Sequence, residues 1–335
     1  MKFGLRLPRT GPFATAAAMI KVAQKAEELG YDAVTVNDAL SWSFDRRYHF
    51  SAGTKEAMDR TERGTYAYEA VTTLSFIAGM THRIRLIPAA FVLPWRGPIM
   101  LAKQFATLQE LSNDRFILGI CIGNIEEDFK NFNVDFKARG AITDEYLRAI
   151  KELFSNKTVV DFHGKYAQFR GEFYPKPKKA PIWIAGGFHE ASLRRVAQFG
   201  DGWLPIGTAA QLQLGLRKVK ELQRTYGMED KELEVGPQVF ICLAETDEKA
   251  WEIGGETVKK FGGLPEITRL KPHETGFAQM NLIGSVTEVS KRISEYKEAG
   301  ANFVELKFIS NTLDEMLGQI SLFASQIMPS FSHDY

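Results

Sequence analysis

The feature that most restricts what this chain can fold into is a rhythm. Short runs rich in β-branched and aromatic residues alternate with longer segments in which apolar residues recur at helical spacing. Eight such runs fall near 2–8, 32–38, 84–93, 115–122, 181–186, 202–206, 234–243 and 303–309. A helical pattern follows each, near 15–29, 69–81, 97–112, 141–154, 189–199, 209–226, 247–261 with 286–299, and 311–328. Strands joined through helices need crossover connections, and crossovers build parallel sheets. Eight units predict an α/β fold of the (β/α)8 kind, a closed TIM barrel, over an open doubly wound sheet. The first run leads into Pro8-Arg9-Thr10-Gly11-Pro12, which lacks the glycine spacing of a dinucleotide fingerprint. Gly30 and Gly300 each stand just past a helical segment, where a left-handed residue closes a helix. Residues 1–335 therefore read as one barrel domain.

Three stretches are too long for ordinary connections. Residues 40–68 are polar and aromatic, with Trp42, Phe44, Tyr48, His49, Tyr66 and Tyr68. Residues 155–180 read as a short hairpin, and 262–285 separate two helices of the seventh unit. The first and third follow strand C-termini, the face on which barrels carry their chemistry.

Several function classes are disfavoured. The formal net charge is +1 with both signs interleaved, which is no nucleic-acid footprint. No apolar run approaches the roughly 20 residues a membrane helix needs, and the first residues read as a strand and turn. A soluble, cytoplasmic protein is expected. Cys121 and Cys242 lie in apolar runs and read as small buried hydrophobes. The six histidines are scattered, so no metal site is expected. Neither a nucleophile elbow nor a P-loop is present. Glu126-Glu127-Asp128 reads as the acidic first turn of a helix.

What remains is glycine and proline at strand ends. Ala185, Gly186 and Gly187 close the fifth run, and a helix opens at once behind them. Glycines ahead of a helix N-terminus let backbone N–H groups approach a phosphate, although a tight turn without a ligand would look the same. Gly207-Thr208, after the sixth run, would complete such a cradle. Pro88 stands inside the third run, where proline implies an irregularity, and Ala89 and Ala90 beside it are small enough for a planar ring to lie against the backbone.

Taken in order, these motifs resemble the bacterial-luciferase-like superfamily of flavin- and F420-dependent barrels. The likeness is carried by Arg96-Gly97-Pro98, Leu101-Ala102-Lys103-Gln104, Ala106-Thr107-Leu108, Leu111-Ser112 and Arg115 through Gly123. Ala138-Arg139-Gly140 with Thr143-Asp144-Glu145, Pro181 through Gly187, and Asp201-Gly202-Trp203 extend it. The resemblance implies a ring bound in the barrel mouth beside Asp38, Trp42, Pro88, Ala89, Ala90 and Asn124, with a non-prolyl cis peptide around Pro88–Ala90. It implies a phosphate on Ala185, Gly186, Gly187, Gly207 and Thr208. Asp38 and Asn124 stand as the catalytic candidates, and Trp42, His49 and Glu69 as substrate contacts. Other roles are open: Asp38 as a strand-end cap, Trp42 as a rim anchor, Arg139 as the partner of a nearby acid.

The resemblance leaves the cofactor open between F420 and FMN. A tryptophan soon after Asp38, and Arg139-Gly140 without the aromatic found in many FMN monooxygenases, lean towards F420. Two departures oppose an alcohol dehydrogenase role: Ala39 replaces the histidine that follows the aspartate in such relatives, and Asn124 replaces a glutamate. Neither residue can serve as acid or base. The leading expectation is hydride transfer between F420 and a small organic substrate. The alternatives are an FMN-dependent monooxygenase fed by a flavin reductase, and a non-catalytic flavin-binding protein. A homodimer is expected, paired through apolar helices near 69–112.

Overall fold

A computed structural model describes residues 1–10, 12–38, 67–261 and 279–331. Strands β1 (Lys2–Arg6), β2 (Ala33–Val36), β3 (Arg85–Pro88), β4 (Phe91–Val92) and β5 (Leu118–Cys121) come first. The antiparallel pair β6 (Val159–His163) and β7 (Gln168–Glu172) follows, then β8 (Ile182–Ala185), β9 (Gly202–Leu204), β10 (Glu234–Val235), β11 (Gln238–Leu243), β12 (Leu282–Gly284) and β13 (Phe303–Phe308). The helices between them are α1 (Ala16–Glu28), α2 (Ala70–Ala78), α3 (Pro98–Leu111), α4 (Glu126–Asn131), α5 (Arg139–Phe154), α6 (Glu190–Phe199), α7 (Ala209–Thr225), α8 (Asp247–Phe261), α9 (Val286–Glu298) and α10 (Leu313–Gln326).

The parallel pairings trace a ring. β1 lies between β13 and β2, and β2 pairs with β3. β4 pairs with β5, β5 with β8, and β8 with β9. The seventh position is shared, for β10 pairs with β9 and β11 with β13. Two backbone bonds tie that join: Gln238 N donates to Pro205 O, and Glu305 N to Pro237 O, at 2.9 and 3.0 Å. The barrel expected from the eight-fold rhythm is thus present, with each strand near its expected place.

Alternation along each strand decides what fills the ring. Trp183 and Phe303 meet edge to face inside it, ring centroids 5.1 Å apart, with Ala33, Ile87, Ile117 and Leu204 around them. The plug is large because its neighbours are small: a Cβ on Gly4 would come 2.3 Å from the Phe303 ring. Outside, α1 buries Ala18, Met19, Val22, Ala23 and Ala26, the one-sided stripe that seats a helix on a sheet. Thr15 caps its start, and Gly30, at φ 83°, takes the left-handed position after its end. Gly300 does the same after α9, at φ 102°.

The third strand carries the irregularity expected at Pro88 and the non-prolyl cis peptide expected around Pro88–Ala90: it stops at Pro88, passes through a cis Ala89–Ala90 peptide and resumes at Phe91. One element departs from the sequence expectation. Within 262–285, read as a connection, Leu282–Gly284 form β12, which pairs with Ile241–Leu243. Three residues are too few to show a period of two, and only the open edge of β11 makes a strand of them. The insertion after the second strand lies outside the described residues over 39–66, and with it Trp42 and His49.

Candidate active site

The C-terminal ends of the strands carry a network of charges over the apolar plug. Asp38, two residues past β2, is buried and accepts from Arg96 through both oxygens, Nη2 to Oδ1 at 2.6 Å and Nε to Oδ2 at 3.2 Å. Oδ2 also accepts from the Val92 amide at 3.1 Å, so Asp38 pins the far side of the broken third strand. The same Arg96 Nη2 lies 2.8 Å from Glu69 Oε1. Glu69 is the N-cap of α2 and accepts from the Val71 and Thr72 amides at 3.0 and 2.7 Å. Burial alone would raise the Glu69 carboxyl; the Thr72 and Val71 amides and the Arg96 guanidinium outweigh it and hold it low. Asp38 and Glu69, named from the sequence as ring and substrate contacts, are therefore brought together by one arginine.

Pro88, Ala89 and Ala90 are buried in the wall beside this network, and the Ala89–Ala90 peptide is cis. β5 approaches so closely that a Cβ on Gly119 would fall 1.8 Å from Pro88 O. The Cys121 thiol donates to Ala90 O at 3.7 Å. Asn124 is exposed above β5, and Gly123 before it takes φ 75°. Asp128, in the first turn of α4, is buried, and both its oxygens lack a hydrogen-bond partner among the described residues. Burial raises its carboxyl, and the nearby charges of Glu127 and Asp38 add to the effect.

The two halves of the expected phosphate cradle differ. Ala185, Gly186 and Gly187 are half-buried at the end of β8, and α6 begins behind them. His189, the N-cap of α6, makes no side-chain capping bond. Gly187 has room for a side chain, the nearest atom to an added Cβ being His189 Nδ1 at 3.8 Å. This end can receive an anion on backbone N–H groups. Gly207 and Thr208 are already engaged. Phe188 covers Gly207, 2.4 Å from where a Cβ would stand, and Thr208 forms a capping box with Gln211 at the start of α7. Arg139 has no acid partner among the described residues; it donates to Phe136 O at 2.8 Å and lies 3.9 Å over the Phe136 ring.

Besides Arg96 and Asp128, four charged residues of the mouth were not picked out as site residues from the sequence. Arg6 forks onto Glu305, Nε and Nη2 each 2.6 Å from a carboxylate oxygen, and Thr35 Oγ1 donates to the same carboxylate at 2.5 Å. Arg9 is 1% exposed, and burial lowers its guanidinium to about 10. Lys307, also buried, lies 4.5 Å over the Phe240 ring. A signal was available: in Phe303-Val304-Glu305-Leu306-Lys307-Phe308, two charges occupy alternate positions of a strand otherwise made of core residues.

A family model described as luciferase-like monooxygenase matches residues 1–302. The chain belongs to the luciferase-like monooxygenase family. Within it, an uncharacterized protein of Mycobacterium tuberculosis is 31% identical over 220 residues, covering 62% of this chain and 72% of that one. An FMNH2-dependent dimethylsulfone monooxygenase of Pseudomonas fluorescens is 22% identical over 79% of this chain and 78% of its own length. Among solved structures, a monooxygenase from Streptomyces bottropensis superposes with a TM-score of 0.79 at 24% identity, covering 99% of this chain and 100% of that one. An F420-dependent secondary alcohol dehydrogenase does so with 0.78 at 17% identity, covering 99% of each. These structural likenesses establish the shared barrel, and the family makes the chain a flavin- or F420-type oxidoreductase or monooxygenase.

Proposed function

We propose that this luciferase-like enzyme is a monooxygenase that uses reduced FMN, delivered by a separate flavin reductase, and dioxygen to oxidise a small organic substrate. The observation that carries the reading is the engagement of Asp38. Oxidation or reduction at an alcohol carbon needs a group that exchanges a proton with the substrate oxygen. Asp38 has both oxygens bound by Arg96 and the Val92 amide, and Asn124 has no titratable proton at neutral pH. Monooxygenation asks less of the side chains, because the bound cofactor supplies the electrons that activate dioxygen. The FMNH2 dependence of the dimethylsulfone monooxygenase supports the choice of cofactor.

The chain's own residues have three tasks on this reading. The uncapped start of α6, with Ala185, Gly186 and Gly187, holds the phosphate. The wall at Pro88, Ala89 and Ala90, braced by Asp38 and Arg96, supports the ring. Asn124 offers an amide to the ring's polar edge, and Trp42 and His49, outside the described residues, are proposed as substrate contacts. Hydride exchange with F420 is the second reading, favoured by the position of a tryptophan four residues after Asp38. Titration with FMN and with F420, followed by oxygen-consumption assays with reduced FMN, separates the two. Binding of F420 alone, with no oxygen uptake, overturns the first. We propose also that the enzyme is cytoplasmic and pairs through α2 and α3, where Phe76, Ile99, Met100 and Leu111 are exposed.

A further inference from the structure

The turn proposed to hold the phosphate has two halves, anchored by different parts of the fold. Gly186 belongs to the barrel: its N–H donates to Leu204 O at 3.4 Å, and its O accepts from the Trp203 indole at 3.0 Å. The amides behind it belong to α6, an outer helix that buries Leu193, Val196, Ala197 and Phe199. Apolar packing is non-directional, so this stripe seats α6 on the barrel without fixing its rotation about its own axis. Rotation matters here, because Ser192 stands directly over the turn: a Cβ on Gly186 would fall 2.2 Å from Ser192 Oγ.

One carboxylate supplies the missing constraint. Asp144, in the second turn of α5, accepts from Arg195 Nε at 2.6 Å through Oδ1 and from Arg194 Nη2 at 3.0 Å through Oδ2. Successive residues of a helix point about 100° apart, so one group that grips both fixes α6 in rotation as well as in place. The Nη2 arm of Arg195 reaches on to Gly140 O at 3.3 Å. Gly140 and Asp144 lie one turn apart and share a face of α5. The Arg195 side chain is 5% exposed, so water competes little for its bond to Asp144. Arg194, at 44%, contributes less.

We infer that Asp144 is a positioning residue of the phosphate site: through Arg194 and Arg195 it sets the start of α6 against Gly186 and Gly187, so that both halves meet one phosphate. The inference rests on the reading that places the cofactor phosphate at this turn. Asp144 acts through the helix and takes part in no chemical step. Its effect falls on the phosphate end of the cofactor, because the wall at Pro88, Ala89 and Ala90 is braced separately by Asp38 and Arg96.

The test is titration of the full chain with FMN, followed by phosphorus NMR of the bound cofactor at saturation. Asp144→Asn keeps the shape of the side chain and removes its charge. It should weaken FMN binding by about tenfold or more, the scale of one hydrogen bond to a charged group. The phosphorus resonance of bound FMN should move towards that of free FMN. Arg195→Lys keeps the charge but gives up the fork, and should do the same. It serves if Asp144→Asn fails to fold, as judged by its melting temperature. Wild-type FMN affinity in a folded variant would overturn the inference. So would weaker binding with the phosphorus resonance unmoved, the result of a merely structural loosening. The phosphate reading fails by a different result: wild type that binds no FMN, or Gly187→Leu that binds it normally, would remove that reading and this inference with it.

Discussion

Arg96 grips Asp38 with two arms of its guanidinium, Nη2 at 2.6 Å and Nε at 3.2 Å, across 58 residues of chain. The Asp38 side chain is 1% exposed, so the pair is shielded from water. Removing one partner of a buried pair leaves a charge uncompensated and costs about 3–5 kcal/mol. Arg96→Met should lower stability by that amount in urea unfolding and weaken FMN binding, because the Val92 end of the ring wall loses its brace. An Arg96→Met protein as stable as wild type would show that the network does not hold the mouth together.

Asp128 supplies a pH-dependent counterpart. Its folded-state carboxyl titrates above the ordinary aspartate value, chiefly through burial. A raised carboxyl contributes stability that is fully present below the unfolded value and is lost as pH rises through the folded one. Asp128→Asn should therefore stabilise the protein at pH 7, because it removes the buried charge while keeping the shape of the side chain. The gain should vanish near pH 3. Thermal melts of both proteins across that range measure it, and a gain that grows towards acid would have the wrong sign.

Gly186 and Gly187 should respond differently to substitution. A Cβ on Gly187 would meet only His189 Nδ1, at an ordinary contact distance of 3.8 Å, whereas one on Gly186 would fall 2.2 Å from Ser192 Oγ. Gly187→Leu should thus melt within a few degrees of wild type and bind FMN at least a hundredfold more weakly. Gly186→Ala should lower the melting temperature even without cofactor. Normal FMN affinity in Gly187→Leu would remove the phosphate from this turn.

The proposed pairing face can be tested by charge. Met100 is 62% and Leu111 75% exposed on α3, and exposed apolar patches mark contact surfaces. Met100→Glu should convert a dimer to a monomer in light scattering without changing the helical circular dichroism. An unchanged mass would place the contact elsewhere.

The barrel was legible because its signal is local. Phe303 to Phe308, like most of the strands, stands out as a short β-branched and aromatic run, and α1 shows its apolar stripe within 13 residues. The break in the third strand was legible for the same reason, since Pro88 cannot donate to a ladder. Thr208-x-x-Gln211 was equally readable as a capping box, but its neighbour Gly207 drew it into the phosphate reading. β12 was not readable, because its three residues lie in no β-branched or aromatic run and become a strand only against the open edge of β11.

Ala185, Gly186 and Gly187 at a strand end, and the small residues after Pro88, were determined by the sequence itself, since glycine, alanine and proline act on the backbone they belong to. The pairing of Arg96 with Asp38 and Glu69, and of Arg6 with Glu305 299 positions away, was decided only when the barrel closed. A charge has no preferred partner along the chain. Its partner is whichever opposite charge the fold brings within about 3 Å and takes out of water, and that depends on strand register around the whole ring.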